Sequence, residues 1–221
     1  AILLANTEAG ADIITFDNAV LTGGAESLIR LTMGELEITD AVTIDGSTAT
    51  DVTITGDANG DDFTVEGTYI TDIGAEDAGF LAENSRVFNV TSESADTTLD
   101  SLTITGGRTT AEFAGGGGIL SSASLTLANS TVSGNSTAGN YSWGGGVQGL
   151  SSVTLTNTTV SGNGTSGFGG SGGGIFSVVA VTLTDSTVSG NTTTGDYSSG
   201  GGINGDSVTL TNTLVSGNAT Y

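Results

Sequence analysis

Oxygen ligands come closest together in "GDANGDD" at 56–62, where Asp57, Asn59, Asp61 and Asp62 surround Gly60. Carboxylate and amide oxygens are hard donors of the kind Ca²⁺ takes. The segment lacks EF-hand spacing and a distal Glu, and it does not match the nonapeptide calcium repeat. Its composition therefore also suits a solvated acidic turn between "DVTITG" and "FTVEG".

Other chemistry is sparse. The chain has no His and no Cys, which removes a Ser-His-Asp triad, a thiol nucleophile and a zinc site. Its three basic residues are Arg30, Arg86 and Arg108, with no Lys. Arg108 in "GGRTTAEF" stands near Glu112 and reads as one half of a surface ion pair. A glycosidase needs two carboxylates across a cleft, but Asp185, Asp196 and Asp206 are scattered through the C-terminal half. The expectation is a protein that is not an enzyme.

Aromatic residues give a second kind of site. Phe113, Tyr141 and Tyr197 share a column with a 28-residue step, Phe168 stands beside the missing member, and Trp143 lies two residues along. Such loops present a ring stripe to sugars or to another subunit. The blander reading has the rings lying flat over glycine-rich backbone. It is favoured because no charged or amide partners accompany them.

These residues must be positioned by a repeat. "TLANSTVSGN" at 126–135 returns as "TLTNTTVSGN" at 154–163, "TLTDSTVSGN" at 182–191 and "TLTNTLVSGN" at 209–218. Four apolar columns follow the repeat: Ile119, Val147, Ile175, Ile203; Leu125, Val153, Val181, Val208; Leu127, Leu155, Leu183, Leu210; and Val132, Val160, Val188, Val215. Upstream, Ile104 and Leu99 fall 28 residues before Val132 and Leu127. Within each unit the apolar residues alternate with Thr or Ser, a period of two that specifies strand. Three short strands per unit, "GGGI", "VTLT" and "TVSG", make one coil of a parallel β-helix, and each apolar column becomes an inner ridge only when coils stack. The hand is right, as for nearly all parallel crossovers. The fold class is thus an all-β, right-handed parallel β-helix of about 28 residues per coil, with "AILLAN" as a short N-terminal capping helix. One domain, 1–221, divides into irregular acidic coils at 1–114 and regular repeats at 115–221.

Two polar columns complete the coil. Asn129, Asn157, Asp185 and Asn212 sit at the bend between second and third strands, where amides bond turn backbone and one another. Asn135, Asn163, Asn191 and Asn218 end the third strand. "NST" at 135–137 and "NTT" at 191–193 are also glycosylation sequons, although an inward-facing amide carries no sugar. The glycine runs at 115–118, 144–146, 172–174 and 200–202 serve close re-entry of the chain into the coil.

Charge sets the partners. Twenty-four acidic residues face three arginines, which excludes nucleic acid. Twenty-one of the carboxylates and all the arginines lie in 1–114, a net −18 there against −3 beyond. Such acidity suits salt and divalent cations, hence an extracellular or cell-surface setting. No apolar run is long enough to span a membrane.

In order, "AILLANTEAGADIITFD", "AVTIDG", "DVTITGDANGDD", "NSRVFNV", "LDSLTITGGRTT" and "GGGI" followed by the "TLTN…VSGN" repeats resemble, nearly end to end, the large surface and secreted β-helix proteins that carry a Cys-Ser-Leu-Arg-Glu-Ala motif. Ala1, Ile2, Ala5 and Asn6 match the segment that follows that motif, while the preceding Cys-Ser-Leu-Arg-Glu is missing. Similar repeats occur in haemagglutinin-like and polymorphic outer-membrane passengers. The resemblance implies display outside the cell and no uniform activity. The expected function is an extracellular structural solenoid that forms fibres by head-to-tail self-association, or displays an adhesive surface. The alternative is a carbohydrate-binding or polysaccharide-cleaving β-helix.

Overall fold

Alternation of Val, Ile and Leu with Thr and Ser sends one set of side chains inward and the other outward at every strand, and the strands pair in parallel with their copies one coil away. The computed structural model describes residues 1–8, 10–17, 27–58 and 84–221, with the backbone of Phe63–Val65 and Thr68–Ile70. It is the parallel β-helix that the repeat predicts. Three parallel sheets of eleven, seven and five strands form its faces.

The first face takes two strands from each regular coil, for example Ile119–Ser121 and Leu125–Ala128. These fuse into single strands at Ile175–Thr184 and Ile203–Thr211. Its rows of paired strands run from Asp12–Thr15 to Ile203–Thr211. The second face stacks seven strands from Ser27–Arg30 to Leu214–Ser216, or about six turns. The third consists of two-residue strands: Arg108–Thr109, Ser136–Thr137, Gly164–Thr165, Thr192–Thr193 and Ala219–Thr220. Two of the three strands expected per coil thus share a face. The third face lies in two-residue segments, each ending in Thr, that look like turn.

All four apolar columns are in register, Leu127 opposite Leu155 and Val132 opposite Val160 among them. Upstream, Leu99 meets Leu127 and Ile104 meets Val132. The core is one cluster of these residues. In the irregular half Ser85 N–H donates to the Gly56 carbonyl at 3.1 Å. At the N-terminus a four-residue helix, Ile2–Ala5, is the expected cap. Asn6 behind it extends the first face by one rung, donating Nδ2 to the Glu37 carbonyl and accepting from Thr39 N–H, both at 2.9 Å.

Each bend has its own device. At the corner between first and second faces Asp51, Ser101, Asn129, Asn157, Asp185 and Asn212 all adopt φ between 47 and 56°. Asn and Asp tolerate this left-handed region best after Gly. At the next corner Asn135, Asn163 and Asn191 point inward and are buried. Each donates Nδ2 to the following amide's Oδ1 at 2.9–3.0 Å and to a carbonyl of the preceding coil. The sequons at Asn135 and Asn191 are therefore structural and closed to a glycan. Between third and first faces the glycine runs let backbones touch: a Cβ at Gly145 would lie 2.3 Å from the Gly164 carbonyl oxygen and 2.5 Å from that of Gly173.

Candidate functional site

The proposed calcium ligands fall largely outside the described residues, since Asn59, Asp61 and Asp62 are not among them. Asp57 is described and buried. Its carboxylate accepts from Arg30 at 3.4 Å, and its N–H donates to Thr55 Oγ1 at 3.1 Å. Among the described residues no group of three or more acidic side chains is placed to hold a metal ion.

Arg108 and Glu112 do not form the ion pair read from sequence. Glu112 instead accepts from Asn140 Nδ2 at 3.3 Å, and Arg108 Nε is buried without a partner. The second ion pair among the described residues is unlike a surface pair. Arg86 is buried, reaches Glu35 at 2.6 Å, and donates Nε and Nη2 to the Gly115 and Gly116 carbonyls. Desolvation pushes its pKa down from the usual arginine value, opposed by the charge and hydrogen bond of Glu35. A residue that occurs once in the chain gives no periodic signal, so this junction was not legible in the sequence.

The aromatic column forms a continuous ridge over four coils. Phe113 stacks on Tyr141 with centroids 5.4 Å apart and planes at 10°. Tyr141 meets Phe168 edge-on at 5.5 Å, and Phe168 meets Tyr197 tilted at 5.3 Å. Carbons in van der Waals contact are about 3.5–4 Å apart, so the parallel pair is slipped like stairs and part of each face stays open. Phe113, Tyr141, Phe168 and Tyr197 are 65, 41, 40 and 88% exposed.

The backbone beneath the ridge is left-handed. Phe113, Tyr141 and Tyr197 have φ of 60, 54 and 61°, and the fourth position of that column is Gly169 at 67°. Tyr141 lies over Gly169, where an added Cβ would come within 2.9 Å of its ring. Here the reading of rings laid over glycine holds. Trp143 Nε1 donates to the Gly169 carbonyl at 3.0 Å, and its own ring stacks on Phe176 at 5.2 Å.

The expectation that no charged or amide group accompanies the rings is overturned. The residues just before the left-handed column are Glu112, Asn140, Phe168 and Asp196, and backbone bonds hold them in register: Phe113 N–H to Asn140 O, Tyr141 N–H to Phe168 O, Gly169 N–H to Asp196 O. Asn140 links the row, donating to Glu112 and accepting from Phe168 N–H at 3.1 Å. Two carboxylates and one amide thus flank the rings. Sequence showed the aromatic period but hid this row, because its members differ in type.

A polar cleft of about 430 Å³ opens at the first-to-second corner, lined by Ser47, Asp51, Ser101, Thr103, Asn129 and Thr131. A scan against protein-family models and searches of curated proteins and of solved structures find no match to this chain.

Proposed function

We propose that this chain is an extracellular structural solenoid, a rod module that associates head to tail. One observation carries the reading, the outward column of the second face. It runs Leu28, Thr53, Thr103, Thr131, Thr159, Thr187, Leu214. Threonine fills every interior coil, and leucine stands in the first and last described coils, 42 and 58% exposed. An outward leucine gains nothing from the solenoid's own core. Stacked head to tail, Leu214 of one copy sits against Leu28 of the next on the second face, while the Ile2–Ala5 helix lies against strands of the first face. The low charge of the repeat half lets it meet an acidic half with less repulsion than two acidic halves would suffer.

Calcium at Asp57, Asn59, Asp61 and Asp62 belongs to the same proposal, as a bound counter-charge in the acidic half. The test is sedimentation velocity and electron microscopy of native material whose intact mass has been measured. Rods longer than one chain that shorten on Leu214→Asp or Leu28→Asp support the reading. Monomers at high concentration from a 21.6 kDa chain refute it.

A further inference from the structure

The aromatic ridge keeps strained backbone under partly exposed rings. A non-glycine residue in the left-handed region costs about 1–2 kcal/mol, and three ridge residues occupy it where Gly169 shows that glycine serves. Each ring pair returns about 0.5–1.5 kcal/mol, and the ridge has three pairs. Stacking offsets much of the strain, and the partial burial of Tyr141 and Phe168, 41 and 40% exposed, adds to that offset. Tyr141 is the sharpest case: on an interior coil, strained, and still 41% exposed. Strain held at an exposed position points to a ligand.

We propose that the ridge of Phe113, Tyr141, Phe168 and Tyr197, with Glu112, Asn140 and Asp196 beside it, binds a neutral, linear β-linked polysaccharide laid along the solenoid axis. A pyranose ring offers a face of C–H groups to an aromatic face and a rim of hydroxyls to hydrogen-bond acceptors. The rings supply the faces, Phe113 and Tyr141 lying near-parallel, and Glu112, Asn140 and Asp196 beside them supply acceptors. The rings follow one another over four coils with centroids 5.3–5.5 Å apart, an extended row that suits a polymer rather than a single small molecule. Charge selects within the class. Glu112 and Asp196 stand in the flanking row and no basic residue does, so uronic-acid and sulfated chains are repelled. The site does not depend on head-to-tail association, since it lies on the side of the rod.

Native electrophoresis of the purified chain through gels containing hydroxyethylcellulose, xylan, mixed-linkage glucan or galactomannan tests the proposal, with polygalacturonate and alginate as anionic controls. The expected result is retardation by at least one neutral polymer and none by the acidic ones. It weakens about tenfold or more in Phe113→Gly/Tyr141→Gly/Phe168→Ser/Tyr197→Gly, whose circular-dichroism spectrum stays that of the parent because glycine fits the left-handed angles. Should the quadruple variant misfold, Tyr197→Gly alone gives the same reading, since that ring is exposed. Retardation unchanged by ring removal, preference for the polyuronates, or no retardation by any neutral polymer overturns the proposal. Dimers that dissociate on ring removal and ignore sugar also overturn it, assigning the ridge to a second copy. Loss of rods through Leu28→Asp with retardation intact would sink the head-to-tail reading alone.

Discussion

The two halves of the rod solve one problem in opposite ways. In coils beyond residue 115 the buried amides are satisfied by copies of themselves one coil away, in the row Asn135, Asn163, Asn191, Asn218. Before 115 the same kind of demand is met by contacts made once. Arg86 closes the Gly115 and Gly116 carbonyls with Glu35 behind it, Arg30 holds Asp57, and Asn6 finishes the edge at Glu37 and Thr39. Repetition makes a rung depend on two neighbours. Unique contacts confine damage to one place, and two of these three rest on an arginine.

Four measurements would break or sharpen that contrast, read as unfolding free energies in urea unless stated. Gly145→Ala should be the most damaging, at about 4 kcal/mol or loss of folding, because its Cβ would meet two backbone carbonyls that cannot retreat without shifting adjacent coils. A stable Gly145→Ala protein would mean the coils are looser than their register implies.

Asn163→Ala removes a rung that accepts from Asn135 N–H and Nδ2 and donates to Val132 O and Asn191 Oδ1. The expected loss is about 3 kcal/mol, since buried donors and acceptors are orphaned on both sides. Asn6→Ala, with two exposed bonds, should lose about 1 kcal/mol. Equal losses would dissolve the distinction.

Glu35→Ala leaves the Arg86 guanidinium buried without its carboxylate. A loss of about 2 kcal/mol is expected, reduced from a fully buried pair because Glu35 is partly exposed. An unchanged midpoint would show that the two glycine carbonyls suffice.

The smallest effect is in acid. Hydrogen bonds from Ser47, side chain first and backbone second, hold Asp45 below the ordinary carboxylate value. A depressed pKa contributes stability that is present above the unfolded value of about 3.9 and lost as pH falls through the folded one. The difference between the parent and Asp45→Asn should therefore shrink on acidification below about pH 4. A difference that grows would reverse the sign.

Legibility followed periodicity. Leu99, Ile104 and the four apolar columns could be placed from spacing because each recurs with its face, and the inward asparagines because an amide at every coil end has few other uses. The third face escaped because Ser136–Thr137 and its copies are short and polar. Arg86 and the row Glu112, Asn140, Asp196 escaped because residues that occur once, or vary in type down a column, leave no period to detect. Asp185 looked like a conservative change in the outer row, yet there it has a specific effect. Asn157 donates to Asn129 and Asn129 to Asp100, while Asn212 donates to Asp185. A carboxylate accepts and does not donate, so each Asp ends one short chain of bonds.

Direction is the remaining consequence of those rows. Inner amides hand their protons toward the C-terminal coils, from Asn135 to Asn163 to Asn191 to Asn218, and outer amides hand theirs toward the N-terminus. The two lines of amide dipoles oppose each other across the coil, so their fields offset and the rod gains little net polarity from them. The inner line still tells up from down. Each finished coil offers its successor two donors, the backbone N–H and the Nδ2 of one buried asparagine, and a coil arriving upside down could not accept both. The rod therefore carries a built-in arrow, and a coil can be read, and the next one laid, from one side only.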